Sequence, residues 1–111
     1  GRIKYHKYKY KNNIIHNEGK NTRSYLKSKN IEIMDNEEFH HWNYNMKNNV
    51  FVLNRRAHSL IHKYITFDEE SKMFYTKSDN YILDTAEKHL HFIKTIFDFK
   101  KVKYEVKHIN L

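Results

Sequence analysis

Four histidines and an asparagine lie close together near the middle of the chain. The run Glu38-Phe39-His40-His41 is followed by Asn49 and then by His58 and His62. A neutral imidazole is a common ligand for divalent metals, and an imidazole that is left unbound can accept a proton near neutral pH. A divalent ion with a free imidazole beside it can hydrolyse a phosphodiester bond. This group of residues therefore predicts a metal-dependent hydrolytic centre.

A strand and a helix are needed to bring these histidines together. We expect a strand from Glu37 to Tyr44, then a polar loop, and a second short strand from Val50 to Leu53. Asn54 is a good N-cap, so a helix is expected to begin there and to run through Tyr64. This order predicts a strand–loop–strand–helix unit with histidines on its first strand and on its helix.

The two pairs of histidines face different geometric constraints. On a helix, His58 and His62 stand at i and i+4 and share one face, from which both can reach the same ion. On a strand, neighbouring residues point to opposite faces, so His40 and His41 cannot play the same part. One of them would bind the metal, and the other would remain free beside it.

The remaining elements predict an α+β fold. Segment 22–29 is expected to be a short helix or a loop, and Ile31-Glu32-Ile33 a short strand. Two apolar segments, 66–67 and 73–75, flank an acidic turn and indicate a hairpin. Asp84 with Glu87 three residues later is a capping box, which would begin a long amphipathic helix over Thr85–Phe99. Alternation at 101–109 predicts a last strand.

The histidine-rich segment resembles a known family of nucleases. Glu38-Phe39-His40-His41, taken with Asn49, His58 and His62, is similar to the motif of the HNH, or His-Me finger, endonucleases. The similarity is closest to the histidine-rich version in the nuclease domains of DNase colicins, and it covers about residues 37–64. It implies a ββα-metal core at about 37–64 within a single domain over 1–111. Extra strands and a long C-terminal helix would pack on that core.

The resemblance also implies a role for each residue of the motif. The implied metal ligands are His40, His58 and His62. His41 would be the general base, unligated and facing solvent, and Glu38 would orient a histidine. Asn49 would pin the loop between the strands, with Asn45 and Asn48 as alternatives. Many members of the family carry cysteines at the positions of Asn54 and Ala57 for a structural zinc, so that second ion should be absent.

The implied cofactor is one divalent metal ion. Three neutral nitrogen ligands favour zinc or nickel over magnesium. The family nevertheless works with several divalent ions, so magnesium and manganese stay open. Cysteine is absent from the chain, which excludes disulfides and thiolate metal sites.

The charge of the chain predicts a polyanionic partner, and the resemblance implies DNA. Its 21 Lys and Arg against 13 Asp and Glu give a net charge of +8. Arg55 and Arg56, at the start of the predicted helix, are candidates for clamping phosphate. The basic and aromatic segment 2–11 is a strand or a flexible arm on a phosphate backbone, through Lys4, Lys7, Lys9 and Lys11. No apolar run approaches the roughly 20 residues of a transmembrane helix, and we expect no membrane partner.

One expected function and two alternatives follow. We expect a metal-dependent endonuclease that acts on DNA with little sequence specificity and leaves 5′-phosphate and 3′-hydroxyl ends. The alternatives are an RNase and a non-catalytic nucleic-acid-binding module with a structural metal. A toxin domain with an acidic immunity or inhibitor protein fits the resemblance, as does a phage or mobile-element enzyme, in the cytoplasm or delivered as a toxin. The remaining histidines are expected at the surface or its boundary: His6, His16, His89, His91 and His108.

Overall fold

The computed structural model describes residues 25–27 and 29–111 of the chain. Contacts between residues divide the chain into two compact units, residues 1–32 and 33–111. In the first unit, residues 25–27 are helical and Leu26 is buried. The predicted strand at Ile31-Glu32-Ile33 is wrong, because residues 31–34 have no regular secondary structure. The N–H of Ile31 instead donates to the carbonyl of Leu26 at 2.9 Å. The basic segment 2–11 lies outside the described residues.

The second unit, which is described throughout, contains six strands and two helices. In chain order they are β1 (Glu37–His41), β2 (Asn49–Asn54), α1 (Arg55–His62), β3 (Ile65–Asp68), β4 (Met73–Thr76), β5 (Ile82–Leu83), α2 (Ala86–Lys100) and β6 (Lys107–Asn110). The strands form two antiparallel sheets, in the orders β1-β2-β6 and β3-β4-β5. The predicted α+β class is confirmed.

Strand β2 is the centre of the first sheet. Its residues Val50–Leu53 are all buried, as expected of a strand that is covered on both faces. His40 of β1 lies opposite Phe51, and His41 lies opposite Val50. The predicted strand Val50–Leu53 is confirmed, and it extends by one residue at each end.

Strand β1 ends at His41, three residues before the predicted end at Tyr44. The chain then bonds to the second sheet: Asn43 forms an isolated bridge with Met73, and the N–H of Tyr44 donates to the carbonyl of Lys72 at 2.9 Å. Because these backbone groups are used in the second sheet, they do not continue the ladder with β2.

Helix α1 follows β2 directly. Asn54 is its N-cap, as predicted, and the Asn54 Oδ1 accepts a hydrogen bond from the N–H of Ala57 at 2.7 Å. The buried residues of the helix are Ala57 and Ile61, which share one face. The helix ends at His62, two residues earlier than predicted, because β3 begins at Ile65.

Strands β3 and β4 form the predicted hairpin, with Phe67 opposite Phe74. Asp68 stabilises its turn, since the Asp68 Oδ2 accepts from the hydroxyl of Ser71 at 2.6 Å. The ring of Phe74 is buried and contacts the rings of Phe67 and Tyr44. The acidic turn therefore leads into β4, whose Phe74 side chain belongs to the core.

Helix α2 has Thr85 as its N-cap, so the predicted capping box at Asp84 is wrong. The Thr85 Oγ1 accepts from the N–H of Lys88 at 3.1 Å, whereas the Asp84 carboxylate accepts from the Lys88 ammonium at 2.8 Å. Its buried residues are His89, Ile93, Ile96 and Phe97. None of the helices in the described part of the chain combines the length and apolar character of a membrane span.

Strand β6 is shorter than the strand predicted over 101–109. It pairs with β2 only from Lys107 to Asn110. Residues 101–106 are not a strand, and the hydroxyl of Tyr104 donates to the Glu37 carboxylate at 2.6 Å. The C-terminal segment therefore contacts both ends of the first sheet.

Candidate metal centre

Three histidines from β1 and α1 form a group that could hold a metal ion. One ring nitrogen from each of His40, His58 and His62 lies within 4.8 Å of the other two. The ring centroid of His40 is 5.1 Å from that of each helical histidine. The structure thus brings together the three residues that the resemblance implies as ligands.

The order of the elements explains why these three side chains lie close together. His40 lies within β1, and α1 starts directly after β2, the strand to which β1 is paired. Helix α1 packs against both strands. His58 and His62 are four residues apart and share the helix face next to β1. One hairpin and one helix are therefore sufficient to assemble the group.

The two helical histidines are already at a separation that suits one ion. Their Nε2 atoms are 3.0 Å apart. Two nitrogens bound to one tetrahedral zinc are about 3.3 Å apart, given Zn–N distances of roughly 2.0–2.1 Å. A small adjustment of these rings, with the proton of His62 on its Nδ1, would let both Nε2 atoms bind the same ion.

Glu38 fixes the orientation of His58. Its Oε1 lies 3.1 Å from the His58 Nδ1. An ionised carboxylate only accepts hydrogen bonds, so the proton of the neutral ring is on Nδ1 and the lone pair is on Nε2. That lone pair is on the side of His62. This contact is the arrangement in which a carboxylate orients a metal-binding imidazole.

His40 has a second histidine behind it. Its Nε2 lies 2.7 Å from the Nε2 of His89, and both side chains are buried. One proton is shared between these two atoms. When His40 donates it, the Nδ1 of His40 keeps a lone pair that can bind a metal; when His89 donates it, that Nδ1 is protonated. The pairing with His89 therefore bears directly on whether His40 can be a ligand.

Burial holds the three histidines in the form that metals bind. Desolvation is the largest effect on each and lowers the pKa of His58, lowers that of His62 to about 4, and lowers that of His40 well below its ordinary value. Glu38 raises the pKa of His58, but by less than burial lowers it. Since the ligand form is the neutral imidazole, binding of an ion near pH 7 would release no proton from these rings to solvent.

His41 lies next to the group without belonging to it. Its ring stacks on Tyr44, with centroids 4.7 Å apart and planes at 17°. Burial lowers the pKa of His41 to about 4, and a hydrogen bond to the backbone of Lys47 partly opposes this. His41 is only 2% exposed, so the expectation of a solvent-facing base is wrong. The packing of Tyr44 over the ring accounts for part of this burial.

Asn49 begins β2 and is buried. Its Oδ1 accepts from the Trp42 Nε1 at 3.0 Å and lies 2.5 Å from the His108 Nε2. Asn49 therefore connects the start of the β1–β2 loop to β6. The alternative Asn45 is exposed, and its amide donates to the carbonyl of Ser71 at 2.9 Å. The position of Asn49 suits a residue that holds this loop, and its part in catalysis stays a prediction.

Of the six side chains predicted to bind phosphate, the structure describes two. Arg55 and Arg56 are exposed in the first turn of α1, and the Arg55 Nε lies 3.9 Å from the Glu38 Oε2. The four lysines of the N-terminal segment lie outside the described residues: Lys4, Lys7, Lys9 and Lys11. A role of any of these six side chains in binding nucleic acid stays a prediction.

The sequence interpretation missed His89. It was expected near the surface, yet it is fully buried on α2 and contacts His40. A signal was present, since Ile93 and Ile96 follow His89 by four and seven residues and give it a place on the apolar stripe of the helix. Its Nδ1 has no hydrogen-bond partner among the described residues.

Comparison of the chain with protein-family models, with curated proteins and with solved structures finds no match. What is established is an α+β fold and a histidine group that could hold a metal ion. Membership of the HNH endonucleases stays a prediction that rests on the residues of the motif.

Proposed function

We propose that the chain is a metal-dependent endonuclease that hydrolyses phosphodiester bonds in DNA with little sequence specificity. One observation carries the proposal. Three neutral imidazoles that could hold a divalent ion lie beside a fourth imidazole, His41, that is outside their group. The net charge of +8 supports a polyanionic substrate.

Each residue of the site would have its own role in the hydrolysis. A divalent ion held by His40, His58 and His62 would supply positive charge to the phosphate and to its leaving oxygen. His41 would take a proton from the attacking water, and the oxygen of that water would bond to phosphorus as the 3′ oxygen departs. Glu38 would hold His58 in the tautomer that presents a lone pair. The products would be a 5′ phosphate and a 3′ hydroxyl.

The environment of His41 prepares it for this role in one respect and limits it in another. Its hydrogen bond to the Lys47 backbone raises the pKa, which means that the ring donates, so its other nitrogen carries the lone pair that a base needs. A pKa of about 4 keeps the ring neutral at pH 7, but a base works best when its pKa is near the working pH. Binding of the anionic substrate beside the ring would raise that pKa.

A second candidate function is a nucleic-acid-binding module with a structural metal. The observation that favours it is the burial of His41, which is 2% exposed and covered by Tyr44. A general base must be within hydrogen-bond reach of the water that it activates, and burial keeps water away from this ring. The two functions make opposite predictions for cleavage, and the same predictions for metal binding.

Nicking of supercoiled plasmid with Zn²⁺, Ni²⁺, Mg²⁺ or Mn²⁺ tests the first proposal. His41→Ala should lower the cleavage rate by about 10²–10⁴-fold, the usual contribution of a general base, and should leave the affinity for metal unchanged. His91→Ala is the matched control, because His91 is an exposed histidine on α2. Full cleavage by His41→Ala would refute its role as the base.

The substrate and the second candidate are separated in the same assay. Structured RNA and plasmid DNA are digested side by side, and faster cleavage of RNA would replace DNA as the substrate. A wild-type chain that binds metal and DNA but cleaves with none of the four metals would favour the structural role.

A further inference from the structure

A groove lined by positive charge lies along helix α1. It has a volume of about 840 Å³ and runs between α1 and the C-terminal end of α2. We call it the cationic groove. Its charged lining residues are all cations, namely Arg55, Arg56, Lys63, Lys100 and Lys101. Its remaining lining residues are Asn54, Ala57, Ser59, Leu60 and Val102, so no carboxylate lines it.

The start of α1 is an unfavourable place for two of these cations. The N-terminal end of a helix carries a partial positive charge, and acidic residues are usually found there. Helix α1 has no acidic residue in its first turn and has Arg55 and Arg56 instead. These arginines cost helix stability in the free protein. An anion bound beside the two guanidinium groups would remove this cost.

The cationic groove and the histidine group use two adjacent faces of one short helix. His58 and His62 lie on the side of β1, while Ser59 and Lys63 lie one residue further round the helix and line the groove. Arg55 lies at the border, since it lines the groove and its Nε is 3.9 Å from the carboxylate that holds His58. A nucleic-acid strand bound along the groove would therefore pass beside the histidine group.

We propose that the cationic groove binds the sugar-phosphate backbone of a nucleic acid. The choice of ligand rests on the proposed function, but binding itself requires neither metal nor cleavage. Cations stand on both walls, from α1 and from the end of α2, which suits a chain of successive phosphates. A flat anionic membrane fits a concave groove less well than a flexible polyanionic chain does.

Binding of labelled DNA to metal-free protein in EDTA tests this proposal, by fluorescence anisotropy from 50 to 300 mM salt. The double variant Lys63→Gln/Lys100→Gln removes one cation from each wall. Each lost phosphate contact lowers the slope of log K against log salt by about 0.9. We expect a slope smaller by about 1.8, and binding that is roughly 10- to 60-fold weaker at 0.1 M salt.

The matched control is Lys94→Gln/Lys103→Gln, which removes the same charge from exposed residues that do not line the groove. It should change the slope by less than half as much. Equal effects of the two pairs would overturn the proposal, because only total charge would then matter. Undiminished DNA binding by the variant Lys63→Gln/Lys100→Gln, the groove pair, would also overturn it. Binding to vesicles of anionic lipid is measured in parallel, and a groove pair that loses affinity for the vesicles but not for DNA would overturn it as well.

These outcomes are independent of the proposed nuclease activity. A chain that binds DNA through the cationic groove but never cleaves it would support the groove and refute the nuclease. A chain that cleaves DNA at an unchanged rate and affinity when the groove pair is neutralised would do the reverse. Thermal unfolding of each variant confirms that the substituted chains are folded.

Discussion

Replacing Glu38 by Gln should weaken the binding of zinc. The Glu38 carboxylate lies 3.1 Å from the His58 Nδ1, and Gln can still accept that hydrogen bond but without the negative charge. Loss of such an outer partner typically lowers metal affinity by roughly 10- to 100-fold. The Glu38 side chain is 35% exposed, so solvent screens part of its charge. We therefore expect the lower end of the range, about tenfold, which corresponds to about 1.4 kcal/mol.

Competition with a chromophoric zinc chelator at pH 7 measures this change. Glu38→Ala also removes the acceptor, so it should lose more affinity than Glu38→Gln. The matched control is Glu37→Gln, which removes an equal charge one residue away. Glu37 bonds instead to Tyr104 and to the N–H of Met34, outside the histidine group.

The order of affinities decides the outcome. The expected order is wild type and Glu37→Gln together, then Glu38→Gln, then Glu38→Ala. If Glu38→Gln bound zinc as tightly as wild type, the carboxylate would not tune His58. If the two Gln variants lost the same affinity, the effect would be long-range charge and not the contact with His58.

Three further predictions concern the buried polar groups. Burial lowers the pKa of His41 to about 4, so the contribution of this ring to the free energy of unfolding of the metal-free protein should be complete above about pH 6.5. It should fall by roughly 3 kcal/mol as the pH falls to 4, because the unfolded chain then binds a proton that the folded chain does not. Urea unfolding across this pH range measures the change. His89→Leu removes the partner of His40 and should weaken zinc binding by about tenfold, by the same chelator competition. Tyr104→Phe removes a donor from the buried Glu37 carboxylate and should lower the free energy of unfolding by about 1–3 kcal/mol in urea.

Matched controls exist for two of these. His91→Leu changes an exposed histidine on α2 and should leave zinc affinity unchanged, and Tyr81→Phe changes an exposed tyrosine and should shift stability by less than about 0.5 kcal/mol. A stability of wild type that does not vary from pH 7 to pH 4.5 would contradict the pH prediction. Unchanged zinc affinity in His89→Leu would show that the outer hydrogen bond of His40 has no influence on the ion.

The features that the sequence predicts well are those set by local chemistry. Asn54 caps α1 because its side chain reaches an N–H group of the turn that directly follows it. The hairpin of β3 and β4 follows from the acidic turn and its flanking aromatic residues. The i, i+4 spacing of His58 and His62 places both on one face in any α-helix, so their meeting needed no tertiary information.

The features that were missed depend on distant partners. The alternation over 101–109 fits a strand, but on that edge β2 pairs only from Asn49 to Val52, with residues 107–110. Asp84 and Thr85 are both good N-caps. The Asp84 carboxylate accepts from the Lys88 ammonium instead, and Thr85 caps the helix. The burial of His41 depends on the ring of Tyr44, whose position is set by a backbone bond to Lys72 in the other sheet.

The position of β6 in the first sheet has a consequence for the order of folding. Its pairing of Asn49 with Asn110 closes a long loop, whereas β1, β2 and α1 are consecutive and their contacts close short ones. Short loops lose less entropy on closure, so we expect the hairpin and helix to form first and β6 to join last. All three histidines of the group lie in the early segment, while His89 and the His108 that contacts Asn49 arrive later. A metal ion could therefore bind before the sheet is complete and stabilise the half-formed chain.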